Sequence, residues 1–285
     1  MTDAMLLDPP FLPLWRAPGV LQLGADGQLV LNEVPPGLDD AITLLAHPQT
    51  RDSLTRLLPA LESTWIDWLL TELAERGAIR PVEQSQPTEI AVVGSGETAA
   101  RLADALSEAG LQPALRPTQG TERALVPGHA LRRSWATAWP TLAVLATQTV
   151  EPDRTLTDEL VHAGIPHLVV RVEPTRATVG PFVIPGHSGC VRCHDLTRSH
   201  NDQAWPRLLA QLCRATPKPP GPLRDWAIAT AVLQVRAHLA DGAPDTLSRM
   251  LQINLRDPAL HSLGVPMHPN CHCQITAFED EEADA

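Results

Sequence analysis

The sequence predicts an α/β protein with two domains, and three observations support this. The chain has 285 residues, which is more than a typical single domain needs. After residue 89, apolar runs alternate with helical stretches, as in a mostly parallel sheet covered on both faces. Before residue 83, a hairpin and three helices form a smaller unit. We therefore predict a winged-helix-like domain at residues 1–83, a Rossmann-like domain at 89–276, and a disordered acidic tail at 277–285.

The composition restricts the compartment and the partners. The chain is 44% hydrophobic and 19% charged, which is ordinary for a soluble globular protein. It has no apolar run of eighteen residues and no basic start of a signal peptide, so we expect a cytoplasmic protein with no membrane partner. The net charge of -11 argues against a nucleic-acid partner, because binding to phosphates requires a basic face.

The N-terminal domain has the pattern of a hairpin followed by helices. Residues 20–23 and 28–31 alternate apolar and polar side chains around a turn at 24–27. Helical patterns follow at 36–45, 50–58 and 61–76. A winged-helix-like module with this layout often binds DNA. Here the third helix carries four acidic residues, Glu62, Asp67, Glu72 and Glu75, which a phosphate backbone would repel.

Strand addition is the alternative use of such a module. An extended peptide would pair with the hairpin edge and place its side chains beside the third helix. The predicted edge consists of Gln28, Leu29, Val30 and Leu31, and the predicted groove is lined by Trp65, Trp68, Leu69 and Glu72. Both tryptophans could instead be ordinary core residues, and the sequence leaves that alternative open.

The second domain begins with a strand, a glycine turn and a helix. Gly94 and Gly96 form a G-x-G-x-x-A motif between the apolar run 90–93 and an amphipathic stretch, as in dinucleotide-binding folds. However, the next strand, 113–116, is followed by Pro117 instead of the acidic residue that would hold a ribose. Glu97 adds negative charge where a phosphate would lie. We therefore interpret the motif as a degenerate nucleotide loop and expect no bound ATP.

The rest of this domain continues the alternation. We predict strands at residues 141–146, 165–172 and 252–255, and helices at 155–163, 197–212 and 223–240. A proline-rich segment at 217–222 separates the last two helices. Cys213, near the end of the first of these, is expected to be an unpaired thiol.

Four cysteines in two pairs predict a metal site. Cys190 and Cys193 form a C-x-x-C motif, and Cys271 and Cys273 form a C-x-C motif. Four thiolates complete the tetrahedral shell of a structural zinc ion, which leaves no open position for chemistry. A redox motif and a pair of disulfides are the rival interpretations. One of four nearby histidines could also replace a cysteine ligand; these are His187, His194, His268 and His272.

These motifs, in their order, resemble a known family. Ile165-Pro166-His167, then Gly180-Pro181 with Pro185-Gly186 before the C-x-x-C pair, and finally the C-x-C pair are similar to the ThiF-type superfamily of ubiquitin-activating-like adenylating enzymes. The resemblance covers about residues 90–275. In detail it is closest to the leader-peptide-binding ThiF-like partners of YcaO-type cyclodehydratases, which make azole- and azoline-containing ribosomal peptides. It implies that residues 10–83 are a peptide clasp and that the protein is a homodimer.

The departures from the family pattern concern catalysis. Active members use a lysine and an arginine at the phosphates and an aspartate for magnesium after the fourth strand. Here that stretch is Ala146-Thr147-Gln148, without a carboxylate, and no lysine precedes Lys218. Losing several positioned charges should remove most phosphoryl-transfer activity, although Arg132 and Arg133 could replace lost cations.

Two functional hypotheses follow from these departures. In the first, the protein binds a precursor leader peptide and presents the peptide to a partner cyclodehydratase. In the second, it is an ATP-dependent adenylyltransferase that activates a carboxylate. A third hypothesis is a DNA-binding winged-helix regulator, but the acidic third helix argues against it.

Overall fold

The computed structural model describes residues 4–7, 12–25, 27, 29–81, 89–117, 140–241 and 243–274. The chain divides into two compact units, Met1–Gln86 and Pro87–Ala285. The predicted acidic tail at 277–285 lies outside the described residues, as do Arg132 and Arg133.

The N-terminal unit combines short antiparallel strands with three helices. Its strands are β1 (Met5–Leu7), β2 (Pro13–Ala17), β3 (Val20–Leu23), β4 (Leu29–Asn32) and β5 (Ile79–Pro81), and its helices are α1 (Leu38–Leu44), α2 (Arg51–Leu57) and α3 (Ser63–Glu75). Strands β2, β3 and β4 form one sheet in that order, and β1 pairs with β5. The predicted hairpin is β3–β4. Strands β1, β2 and β5 were not predicted from the sequence.

Apolar spacing and capping explain why these segments are helical. In α3 the buried residues Ile66, Leu69, Leu70 and Leu73 follow the i, i+3, i+4, i+7 spacing of one helix face. Helix α2 begins with a capping box in which Thr50 and Ser53 each accept a hydrogen bond from the other's backbone N–H. The α3 face packs in one core with the inward leucines of β3 and β4.

The C-terminal unit is built on a seven-stranded sheet. Its strands are β6 (Ile90–Val93), β7 (Pro113–Arg116), β8 (Leu142–Leu145), β9 (His167–Val172), β10 (Arg176–Val183), β11 (Arg249–Asn254) and β12 (His261–Gly264). Its helices are α4 (Glu97–Glu108), α5 (Arg154–His162), α6 (Val191–Asn201), α7 (Trp205–Leu212) and α8 (Gly221–Asp241), followed by a 3-10 turn at His272–Gln274. The strand order is β12-β11-β10-β9-β8-β6-β7.

The sheet is mixed, which corrects the prediction of a mostly parallel one. Strands β9, β8, β6 and β7 are parallel neighbours. Strands β10, β11 and β12 continue the sheet in antiparallel order from β9. Strand β10 was not predicted because Gly180-Pro181 interrupts its apolar pattern, and the pairing register shifts at that point. The parallel half is consistent with a Rossmann-like fold.

The predicted helix at 197–212 was wrong, because two helices occupy this stretch and its flank. Helix α6 ends at Asn201, and α7 begins at Trp205. Between them the carboxylate of Asp202 accepts a hydrogen bond from the backbone N–H of Ala204 at 2.9 Å, and Pro206 stands in the first turn of α7. Both features stop one helix and start another.

Two apolar cores cover the two faces of the sheet. Leu102 and Leu106 of α4 pack with Ala227 and Val235 of α8 against one face. Leu156 and Leu160 of α5 pack with Val191 against the other. Because β6 and β8 are parallel neighbours, the loops that follow them lie at the same edge of the sheet. In the part of the chain that the structure describes, no helix has both the length and the apolar character to cross a membrane.

Candidate functional site

The four predicted metal ligands converge in the C-terminal unit. The sulfurs of Cys190, Cys193, Cys271 and Cys273 all lie within 4.8 Å of one another, and all four side chains are buried. Cys190 Sγ lies 3.8 Å from Cys193 Sγ and 3.7 Å from Cys271 Sγ, and Cys193 Sγ lies 3.4 Å from Cys273 Sγ. These separations are too long for a disulfide of ~2.05 Å. They match the edge of ~3.8 Å that four Zn–S bonds of ~2.3 Å produce. The cluster could therefore hold a metal ion.

Local structure brings the two pairs together. Cys190 is the N-cap of α6, and Cys193 lies in its first turn, so the C-x-x-C spacing turns both sulfurs to one side. Gly189 allows the close approach, because a Cβ there would overlap the backbone carbonyl of Val265. The backbone N–H of Gly186 donates a hydrogen bond to the carbonyl of Cys273 at 3.0 Å. This bond connects the segment before the C-x-x-C pair to the C-x-C pair.

Without a cation, the crowded sulfurs do not all ionise. The pKa of Cys190 is raised by the contact with the Cys193 thiol and by burial. Burial and neighbouring thiols raise the pKa of Cys273 to about 12. Hydrogen bonds, first from Cys190 and also from the backbone N–H of His268, lower the pKa of Cys193 to about 4. A bound cation would supply the positive charge that four thiolates need.

The nearby histidines are not part of this cluster. Among the described residues, the four cysteines are the only set of three or more His, Cys, Asp or Glu side chains placed to share an ion. The ring of His268 instead accepts a hydrogen bond from the backbone N–H of Asn270 at 3.2 Å. His187 directs its Nδ1 to the carbonyl of Pro185 at 3.1 Å.

The glycine loop after β6 is closed by its own chain. A Cβ on Gly94 would overlap the carbonyl of Ala146, so this glycine lets the loop pack against the end of β8. Gly96 has a φ of 86° and is the N-cap of α4. Its open side is covered by the side chain of Gln148, which a Cβ on Gly96 would overlap. In this structure the exposed side chain of Gln148 therefore lies where the backbone of a phosphate-binding loop would approach its ligand.

The predicted peptide edge is only partly described. Strand β4 pairs with β3, and no second strand pairs with it among the described residues. Leu29 and Leu31 are buried in the core, so only their backbone is available at this edge, while Val30 is half-buried. Gln28 lies outside the described residues.

The predicted groove residues have different environments. Trp65 and Trp68 are half-buried, with ring centroids 5.5 Å apart in an edge-to-face arrangement. Leu69 is fully buried in the core and offers no surface. Glu72 forms an ion pair with Arg76 one turn later on α3. The two half-buried tryptophans are therefore the apolar members of this set that reach the surface.

Sequence reasoning missed a buried ionic network beside the metal cluster. Arg154 of α5 contacts the Asp195 carboxylate of α6 at 2.6 Å and Glu151 at 2.9 Å, and Glu151 also contacts Arg171 of β9 at 2.6 Å. The indole N–H of Trp205 donates to Asp195 at 3.0 Å. Burial raises the pKa of Glu151, but Arg171 and Arg154 outweigh it, so this pKa lies below its usual range. Arg154 and Asp195 are 41 positions apart, so no local sequence pattern indicates that they are in contact.

Comparison with solved structures finds the fold of this chain in heterocyclases and in MccB. The heterocyclase TruD matches with a TM-score of 0.58 and 18% identity over 98% of this chain and 43% of that chain. A heterocyclase in complex with substrate and cofactor matches with a TM-score of 0.62 and 16% identity, over 95% of this chain and 39% of that one. This chain thus spans about two fifths of the heterocyclase chains.

A shorter protein matches over its whole length. Escherichia coli MccB, in a structure with AMPCPP and MccA, gives a TM-score of 0.53 and 14% identity over 95% of this chain and 100% of that chain. Another MccB structure contains ATP. No protein-family model and no curated protein matches the sequence. At these identities the likeness defines the fold.

Proposed function

We propose that the protein binds the leader segment of a ribosomal precursor peptide and presents the peptide to a separate YcaO-type cyclodehydratase. The open edge of β4 is the observation that carries this proposal. The likeness to heterocyclases, which contain a unit of this fold within a longer chain, supports the choice of partner. The delivery role needs no catalytic residue in this chain.

The two edges of the small sheet differ in how they are protected. Edge strand β2 carries Pro13 and Arg16 and has a register shift between Trp15 and Ala17, all features that block further pairing. Edge strand β4 reads Leu29-Val30-Leu31-Asn32 and has no proline, charge or register shift. An extended peptide would therefore add to β4, where backbone hydrogen bonds give affinity and side-chain contacts give selectivity.

The half-buried tryptophans suit an apolar leader side chain. Trp65 and Trp68 pack against the core that also contains the inward leucines of β4. A basic leader residue would find Glu75, which is exposed, whereas Glu72 is already paired with Arg76. Since an exposed ion pair contributes only ~0.2 to 1 kcal/mol, apolar contacts would dominate peptide affinity.

We assign the four-cysteine cluster to structural zinc. Cys190, Cys193, Cys271 and Cys273 would hold the ion, and soft thiolates in a buried tetrahedral set favour zinc over harder cations. When bound, the ion supplies folding free energy and no catalytic water, because four protein ligands leave no open position.

The residues at the glycine loop do not fit ATP. The loop lacks a lysine, the stretch Ala146-Thr147-Gln148 lacks a carboxylate for magnesium, and the Gln148 side chain lies against Gly96. We therefore expect isothermal titration with ATP and magnesium to show no binding in the micromolar range. Exchange of pyrophosphate into ATP in the presence of a carboxylate would contradict this expectation. That result would favour the adenylyltransferase hypothesis. We retain this hypothesis as the alternative because MccB, which shares the fold, has been solved with ATP.

We also propose that the protein is a symmetric homodimer through its C-terminal unit, with the same surface used by both copies. Light scattering at micromolar concentration should then give twice the mass of one chain. A single-chain mass over the whole micromolar range would contradict the dimer without affecting the delivery role.

Reconstitution tests the delivery role directly. The partner cyclodehydratase, ATP and the precursor peptide should form azoline rings, seen by mass spectrometry as loss of one water per ring, only when this chain is added. A precursor without its leader should not respond to the addition. Equal ring formation with and without this chain would overturn the proposal.

A further inference from the structure

The long helix α8 carries apolar side chains on two faces. Its inner face packs in the core of the sheet through four buried residues, Leu223, Ala227, Ala231 and Val235. On the opposite face Leu233 is 64% exposed, although it lies in the middle of the helix. A helix that covers a single core needs an apolar stripe on one side only. The second face of α8, here called the outer face, therefore has the composition of a contact surface.

The outer face has a regular pattern of charge and size. The exposed residues along it are, in order, Asp225, Ala229, Leu233, Arg236 and Ala240. Steps of three or four residues place all five on one side of the helix. Asp225 and Arg236 are eleven positions apart, so about three turns, or ~16 Å, separate them. The outer face thus has a negative end, a positive end, and a leucine with a small alanine between them.

A groove between α4 and α8 borders this face. It has a volume of about 330 Å³, and Ala229 of the outer face is part of its wall. Its charged lining consists of three acids and one arginine, Asp104, Glu108, Asp225 and Arg101. Arg101 contacts Asp225 at 3.0 Å, whereas Asp104 and Glu108 make no ion pair within the described ranges. The groove therefore offers space and an excess of negative charge to a cation from outside.

We propose that a second copy of this chain covers the outer face, with the two α8 helices antiparallel about a two-fold axis. This inference rests on the proposed homodimer and names its contact surface. An axis near residues 230 and 231 places each Asp225 opposite Arg236 of the second copy, and each Leu233 beside the small side chain of Ala229. The same patch is then used by both copies, as two-fold symmetry requires.

The charges favour this arrangement over a parallel one. Arg236 is exposed and has no ion pair in the part of the chain that the structure describes. In the antiparallel arrangement its guanidinium reaches the acidic groove of the second copy. Parallel helices would instead bring Arg236 to Arg236 and Asp225 to Asp225, and such like-charge contacts oppose association.

Sedimentation velocity over a dilution series of the full chain tests this interface. Leu233→Glu places two carboxylates near the two-fold axis, and we expect the dimer dissociation constant to rise by about 100-fold or more. Arg236→Glu turns each opposite-charge contact into a like-charge contact, and we expect a rise of about 10-fold. Both side chains are exposed in the single chain, so neither change disturbs its core. Circular dichroism and zinc content check that the variants are folded.

Two further variants separate direct pairing from a general effect of charge. Asp225→Arg combined with Arg236→Glu exchanges the two charges, so this double variant should dimerise more tightly than Arg236→Glu alone. Arg207→Glu is the matched control, because Arg207 is exposed on α7 and has no ion pair among the described residues. Its reversal should leave the dissociation constant unchanged. A double variant that dimerises no more tightly than Arg236→Glu would contradict the antiparallel pairing.

The outcomes distinguish this interface from the homodimer itself. A wild-type protein that is monomeric throughout the series would overturn both. A dimeric wild type whose Leu233→Glu and Arg236→Glu variants dissociate like Arg207→Glu would overturn the α8 interface and leave the homodimer standing. If these two variants stay dimeric but no longer support ring formation by the cyclodehydratase, the outer face binds that enzyme and not a second copy.

Discussion

Replacing Cys193 by serine is expected to abolish zinc binding and to destabilise the C-terminal unit severely. Its sulfur lies within 3.8 Å of two other ligand sulfurs and accepts the backbone N–H of His268, so it ties both cysteine pairs together. Because zinc binding contributes directly to folding free energy, we expect Tm to fall by roughly 10 °C. Elemental analysis should give about one zinc per wild-type chain and none per variant chain.

Cys213→Ser is the matched control for this substitution. Cys213 is half-buried outside the cluster, its sulfur lies 3.4 Å from the carbonyl of Pro152, and burial raises its pKa to about 11. Its replacement should leave the zinc content unchanged. Wild-type protein purified without chelator and found to contain no metal would refute the zinc assignment.

Proline in β4 is expected to weaken leader binding by about 10- to 100-fold. Successive N–H groups of an edge strand point alternately to the paired strand and to the open side, so Val30→Pro and Leu31→Pro are compared in parallel. In one of the two variants, proline replaces the residue whose backbone N–H points to the open side of β4. This variant should lose one or two hydrogen bonds to the peptide, each contributing roughly 1 kcal/mol or slightly more. Fluorescence anisotropy with a labelled leader peptide measures this loss.

Arg16→Pro is the matched control, because it introduces a proline into the opposite edge strand, β2. This variant should leave leader affinity unchanged. Circular dichroism and zinc content show whether each variant remains folded. If both β4 variants are folded and bind the leader with wild-type affinity, the peptide does not add to this edge. The clasp assignment would then fail, while the zinc assignment would be unaffected.

Local patterns in the sequence predicted most of the architecture. The alternation of apolar runs and helical stretches gave the parallel strands β6, β8 and β9, because each is a buried run with a clear start and stop. The antiparallel part was largely missed. Strand β12 is exposed at all four positions, so no apolar periodicity marks it. Strand β10 is interrupted at Gly180-Pro181.

The sequence predicted that the four cysteines form one cluster, because the C-x-x-C and C-x-C spacings each bring two thiols together and four thiolates complete one zinc site. Which charges meet could be seen only in the folded protein. Arg154 and Asp195 are 41 residues apart, and Glu97 and Arg224 are even further apart in the chain. Such pairs depend on how helices pack on the sheet, and a single sequence gives no period or spacing from which to predict them. For the same reason, Glu97 appeared in the sequence as a repulsive charge, and the structure places it in an ion pair.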